Sequence, residues 1–479
     1  MRVCFYLVLF LIITALLVEA KKGRSREKSK KGKRRHGGKS KGRSRETLQE
    51  LCDREPTHWR CYRNEYSEED EEGPSIPRRT RRPGRTTPSP RHTTTFGGPP
   101  EEYLPPRFTL TEKQKADLRK SCRSFECKEQ SPESQAKRAE LFDSVVEILE
   151  QAEVPNAQQD TIQRFDAIFS AKKAFLTKHG LAADIEPAND GIWSGDLVLT
   201  KDQADAIVES HREDEEDKRR KKRYSLHLEK NLAYKWKLPI NFAIDTDFEP
   251  NEREVVHKAL EDIENKTCIR FVEHKGKVAG PHMLFKKTYN PGFCGLSNLG
   301  VILPFNIVWL NFDCETIKGT ASHEVLHALG VDHQHVRYDR DAYLYINWSN
   351  INPQSVDLFA GDSDTFTSYG IPYDYFSIMH YGKWAAAINP NKMTMQATTD
   401  PRQFFNKAIG QRIALSDRDA ALVRKMYCLP DCEDKNVFCG WWATSGYCTS
   451  NLKLMIRLCK KSCDFCPEEA VKGWKKKGK

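Results

Sequence analysis

The string HEVLHALGVDHQH, residues 323–335, places four of the chain's fourteen histidines in thirteen positions, and no other stretch constrains the fold as tightly. Around it, TIKGTASHEVLHAL (316–329) carries Ile317, Ala321, Val325, Ala328 and Leu329 as an apolar stripe at helical spacing. His323 and His327 are four apart, so they share one helical face, one turn from each other. Two imidazoles at that spacing reach one metal ion. Gly330 follows; glycine takes the left-handed conformation that ends a helix, and the chain can then return His333 as a third ligand. Glu324, next to the first histidine, has its carboxylate within reach of the water that such a metal activates. A helix with incidental histidines is the competing reading. The full spacing H-E-x-x-H-x-x-G-x-x-H weighs against it, and one zinc ion per subunit is the cofactor that three imidazoles suit. His335 lies outside that spacing and reads as a surface histidine or one that supports the ligands from behind.

The chain opens with MRVCFYLVLFLIITALLVEA, a charged start, an apolar run and a small-residue cleavage site, which reads as a signal peptide over 1–20. An uncleaved anchor is the alternative, and the apolar run is short for one. Removing Cys4 leaves fourteen of fifteen cysteines, an even number that suits an oxidising compartment. Secreted, extracellular localisation follows, with no membrane-bound form. The sequons at Asn265 and Asn347 are compatible glycosylation sites. The net charge of +10 is concentrated in blocks, which outside the cell meet sulfated glycans or matrix rather than nucleic acid.

Residues 21–223 divide into three. Residues 21–47 form a basic tail with no apolar residues, read as disordered. Residues 74–106 are a Pro/Thr/Ser-rich linker, preceded by the pair Cys52 and Cys61. Residues 113–223 read as a prodomain, with helical apolar spacing from Lys113 to about Gly180: in ELFDSVVEILEQ, Leu141, Val145, Ile148 and Leu149 share one face. Cys122 and Cys127 can close a small loop there. The multibasic run ending at Arg223 is a processing point for an activating convertase, with Arg79–Arg82 a weaker one. Residues 224–428 form the main globular domain, with strands expected in LPINFAID, HMLFKK and VILPFNIVWLNF and a helix over Glu252–Glu264. Residues 432–466 hold six cysteines in a module too small for an ordinary core, so disulfides must constrain it. A basic tail, 467–479, follows.

The histidine string is the metzincin signature. Taken with Ser377-Ile378-Met379-His380-Tyr381, HEVLHALGVDHQHVRYDRD resembles the astacin family of secreted zinc endopeptidases, over residues 193–428. That resemblance implies an α+β fold with a twisted N-terminal sheet, an active-site helix and an irregular C-terminal subdomain. It implies His323, His327 and His333 as zinc ligands and Glu324 as general base. Met379 would make the turn beneath the metal, and Tyr381 would be an extra ligand that swings away to bind the transition state. Cys268–Cys428 and Cys294–Cys314 would be the disulfides. Arg412, in IGQR, would sit in the pocket beyond the cleaved bond and favour acidic residues there. Trp193-Ser194-Gly195-Asp196 resembles the family's F-x-G-D zinc switch, with Trp for Phe, in which Asp196 would ligate the metal and hold the precursor inactive. One residue departs: Gln334 stands where the family usually has Glu to receive the mature N-terminus, so that link should be weaker here.

The last module resembles the ShK-toxin-like domain, including Asp434, Trp442, Gly446, Asn451, Met455 and Ser462. The family's pairing would be Cys432–Cys466, Cys439–Cys459 and Cys448–Cys463. Ile456-Arg457 replaces the Lys-Tyr of channel-blocking relatives, which favours substrate or matrix docking over channel block, with simple capping of the catalytic domain as the alternative. The functional expectation is a secreted zinc endopeptidase made as a zymogen and acting on proteins and peptides. The rival is a non-catalytic extracellular matrix- or glycan-binding protein. The presence of all three histidines, Glu324 and Tyr381 favours the enzyme.

Overall fold

The computed structural model describes residues 108–466 apart from 124–125, 212–234, 291, 361–367, 401–403, 430–431 and 437. The signal sequence, the basic and Pro-rich segments, Cys52 and Cys61, Arg223 and the C-terminal tail lie outside the described residues.

Three helices begin the fold: α1 (Glu112–Ser121), α2 (Pro132–Gln151) and α3 (Ala157–Lys178). Thr111 and Gln114 close a capping box on α1, and Ser131 caps α2 with Pro132 in its first turn, which supplies orphan amides with acceptors. α2 buries Leu141, Val145, Ile148 and Leu149, the face read from the sequence. Cys122 and Cys127 are bonded. A short strand β1 (Leu197–Val198) and a helix α4 (Lys201–His211) complete this N-terminal segment.

The main domain supplies β2 (Ile240–Ile244), α5 (Pro250–Lys266), β3 (Phe271–Glu273), β4 (Met283–Lys287), β5 (Gly295–Asn298) and β6 (Asn306–Leu310). With β1 they form one six-stranded sheet in the order β1-β5-β6-β4-β2-β3, and only the β5–β6 pair is antiparallel. The strand expected over VILPFNIVWLNF is confined to Asn306–Leu310, because Pro304 has no amide hydrogen to give a ladder. Every residue of β6 is buried, and its side chains alternate between two cores. Ile307 and Trp309 meet Leu141, Val145 and Ile148 of α2 on one face. Val308 and Leu310 meet Val256 and Ile263 of α5 and Val325 of helix α6 (Ile317–Ala328) on the other.

Beyond α6 the chain is mostly irregular, as the resemblance implied, with a two-stranded ribbon of β7 (Leu344–Ile346) and β8 (Met395–Ala397) and helices α7 (Phe404–Ala408) and α8 (Asp417–Tyr427). A third core joins this half to the N-terminal segment: Phe175, Leu181, Trp193 and Leu197 pack with Trp348, Phe359, Tyr373 and Met395. The helical reading of residues 113–223 therefore understates them. Through residue 211 they build two of the three large cores, and each such side chain contributes about 1.5–3 kcal/mol on full burial.

His179 and His211 sit against Phe175 in that segment. Burial, and then the charge of Lys178, push His179 down to about 4 and His211 to about 3. An unfolded imidazole titrates near ~6.5, so below that pH the unfolded chain binds protons that the folded chain refuses. The stability these neutral histidines supply is present above about 6.5 and is lost as pH falls through 4 and 3. The urea midpoint of the intact chain should therefore drop between pH 7.5 and 5.5, and His211→Phe should shrink that drop. An unchanged pH dependence in the variant would refute the assignment.

The C-terminal module consists of α9 (Cys439–Thr444), α10 (Tyr447–Ser450) and α11 (Leu452–Leu458). Its disulfides are Cys432–Cys466, Cys439–Cys459 and Cys448–Cys463. Trp442 and Met455 fill its centre, and Asp434 accepts hydrogen bonds from the amides of Lys461 and Ser462 and the Ser462 hydroxyl. The module rests on the main domain: Lys425 donates to the Ser462 carbonyl, and the Tyr338 and Thr444 hydroxyls are 2.8 Å apart.

Candidate metal centre and cleft

Helix α6 runs against the sheet and carries His323, Glu324 and His327, all buried. Gly330 follows it at φ +92°, the left-handed turn the sequence implied, and the chain then returns His333 to the same point. The Nε2 atoms of His323 and His333 each lie 3.1 Å from that of His327. Their other nitrogens are engaged from behind. Nδ1 of His323 donates to the Ile378 carbonyl at 2.7 Å and that of His327 to the Val331 carbonyl at 2.8 Å. A carbonyl only accepts, so these bonds place the proton on Nδ1 and leave the Nε2 lone pairs aimed inward. Nδ1 of His333 faces the Ser194 hydroxyl at 3.3 Å. Burial, and then the charge of Arg412, hold His323 well below the usual imidazole range and so neutral. Two lone pairs fixed inward, with Nε2 of His333 converging on them in a buried space, suit a cation; the donor set fits zinc.

A fourth group enters from the N-terminal segment. Trp193 and Leu197 exchange backbone hydrogen bonds across a tight turn, with Ser194 at φ +50° and Gly195 at φ +93°. A Cβ on Gly195 would lie 2.6 Å from the Tyr381 hydroxyl, so only glycine lets the turn approach this closely. The turn delivers the Asp196 carboxylate to within 3.2, 3.4 and 3.0 Å of Nε2 of His323, His327 and His333. Among the described residues, these four side chains form a group that could hold a metal ion.

Glu324 lies beside them with Oε2 buried and unpaired. Burial, and then the nearby Asp196 charge, hold its carboxyl well above the carboxylate range, while a bound cation would pull the other way. The Tyr381 hydroxyl donates to the Ser194 carbonyl at 2.5 Å, and its ring packs on His333 at 4.3 Å. Met379 is buried in the core beneath α6, and its carbonyl accepts from the Gln334 amide. Arg412 is half-buried and donates to the carbonyls of His380 and Gln411, with its charge felt at Asp196, Tyr381 and Glu324. His335 is not a surface residue: it is fully buried, stacks on Tyr381 at 4.5 Å and donates to the Leu358 carbonyl. Cys268–Cys428 and Cys294–Cys314 are bonded. Asn265 is exposed on α5, whereas the Asn347 amide is engaged by the Met393 carbonyl and the Ser349 hydroxyl.

Sequence reasoning missed Asp357 and Lys172. Asp357 accepts from the Ser194 amide at 3.1 Å and pairs with Lys172 of α3 at 3.4 Å. A lone acidic residue in NPQSVDLF carries no signal of such a partner.

The model of the astacin peptidase family matches residues 228–428, and that of ShK domain-like modules matches 431–466. The zinc metalloproteinase nas-9 of Caenorhabditis elegans is 37% identical over 374 residues, covering 74% of this chain and 68% of the relative. The chain belongs to the astacin family. Its metal is zinc, held one to a site in astacins. A second C. elegans astacin relative, zinc metalloproteinase nas-11, is 38% identical over 384 residues, covering 73% of this chain and 66% of its own. The chain thus spans about two-thirds of these relatives' length. Residues 228–479 are little more than half of this chain, so both matches extend into the N-terminal segment. The low choriolytic enzyme of Oryzias latipes is 35% identical over 190 residues, covering 39% of this chain and 65% of the enzyme. Among solved structures, the medaka high choriolytic enzyme 1, a hatching enzyme zinc-protease, is 30% identical, covers 42% of this chain and 96% of its own, and has a TM-score of 0.37.

Proposed function

We propose that this astacin is exported as a zymogen and, once the propeptide 21–223 is removed by cleavage after Arg223, hydrolyses internal peptide bonds of extracellular proteins. The seating of Asp196 among the three imidazoles carries this reading. A carboxylate there takes the place that substrate needs, and the Ser194 carbonyl occupies the Tyr381 hydroxyl as well. β1 pairs with β5, so it also covers the edge on which a substrate strand would align its backbone. The paired cysteines and the multibasic run ending at Arg223 support export and convertase processing.

When bound, zinc supplies Lewis acidity that activates water near neutral pH. Glu324 takes the proton of that water on its unpaired Oε2 and passes it to the departing amine. With the N-terminal segment gone, the Tyr381 hydroxyl is released to donate to the oxygen of the scissile carbonyl. Arg412, close to both, favours an acidic side chain after the cleaved bond.

Processed protein should cleave a peptide library, lose that activity to a zinc chelator and regain it with added zinc. Acidic residues should be enriched just after the cut, and Arg412→Gln should reduce that enrichment by about tenfold. Absence of cleavage would overturn the enzymatic reading, and cleavage insensitive to chelation would overturn its dependence on zinc; cleavage with no acidic enrichment would overturn only the pocket.

A further inference from the structure

Asp357 is fully buried, yet it lies in the short 3-10 turn Pro353–Phe359 beside the cleft and has no part in the mechanism above. Among the described residues, the hydrogen-bond and ion-pair partners of its carboxylate are the Ser194 amide at 3.1 Å and the Lys172 ammonium at 3.4 Å. Both belong to the N-terminal segment. Its Oδ1 is buried without a hydrogen-bond partner. Lys172 is itself buried, donating to the Ala188 carbonyl and to Asp190 at 2.9 Å, so α3 delivers a desolvated cation into the main domain. The contact is two residues from Asp196, on the arm of the turn opposite β1.

Removal of the N-terminal segment strips this carboxylate of the amide and the cation together. Among the described residues the main domain offers this carboxylate no hydrogen-bond or ion-pair partner of its own, so a positive group of the substrate would be favoured there, because an unpaired buried charge is costly. A peptide in the cleft must pass the place that Ser194 now takes. We propose that Asp357 is a specificity-determining residue of the processed enzyme, selecting substrates with a lysine or arginine within two residues of the scissile bond. Lys172 occupies that subsite in the precursor. The Arg412 pocket and this one would then read opposite charges, so preferred substrates carry both near the cut.

The inference rests on the proteolytic reading, and the test separates the two. Processed enzyme is given matched peptides that carry lysine or norleucine at each position around one cleavage site. The lysine peptide should be favoured at one position by roughly tenfold in kcat/KM, the scale of a charge-assisted hydrogen bond. Asp357→Asn should bring the lysine-to-norleucine ratio close to one, and Asp357→Lys should push it below one. A merely structural role would lower both rates and keep the ratio. In Asp357→Asn the precursor keeps Asp190 as the partner of Lys172; Asp357→Lys is made with Lys172→Met, so that two ammoniums do not meet there. No lysine preference, or a preference that survives Asp357→Asn, overturns the subsite while leaving the protease intact. Absence of cleavage of either peptide by the wild-type enzyme overturns the proteolytic reading beneath it.

Discussion

Glu324→Gln leaves the zinc content of the processed protein unchanged and lowers peptide turnover by about 10²–10⁴-fold. The amide keeps the shape and fills the same buried place, so the three imidazoles and their Nδ1 bonds to Ile378 and Val331 are undisturbed. What it lacks is a basic oxygen. In the native chain Oε2 of Glu324 is buried and without a hydrogen-bond partner, a cost that a residue with only a packing role would not carry. Metal analysis and turnover on one peptide check the prediction. Wild-type turnover would remove Glu324 from the chemistry, whereas loss of zinc would make it a structural support of the ligands.

Asp196→Ala converts the uncleaved precursor from silent to measurably active on small peptides, by at least about tenfold over wild type, the scale of losing one charge-assisted contact. The variant still carries the turn, with Ser194 on Asp357 and on the Tyr381 hydroxyl, and β1 still covers β5. Its activity should therefore stay below that of the processed enzyme. Hydrolysis of a quenched peptide by precursor with its multibasic run altered to resist processing gives the readout. A precursor that remains silent would show that coverage of the cleft is sufficient and that the carboxylate adds nothing.

How much of this was legible in the residues differs from element to element. The convergence of the three histidines was, because a four-residue spacing on a helix, a glycine turn and a third histidine three residues on are local geometry. The disulfides of the C-terminal module were available only through a family resemblance, since the spacing of six cysteines leaves fifteen pairings open. The full length of the VILPFNIVWLNF strand was misread, because an apolar run does not reveal where Pro304 interrupts the ladder. His335 was left open between surface and support, and its burial against Tyr381 depends on where residues far along the chain come to lie.

The sequence by itself determined the chemistry: three imidazoles, one carboxylate and the helix that presents them follow from short-range periodicity and the handedness of one glycine. Tertiary structure decided what stands opposite that chemistry. The pairing of β1 with β5, the descent of Asp196 onto the histidines and the meeting of Lys172 with Asp357 join residues 100 or more positions apart. Such contacts arise from apolar cores shared between the N-terminal segment and the main domain, and periodicity within either segment does not encode which face will meet which.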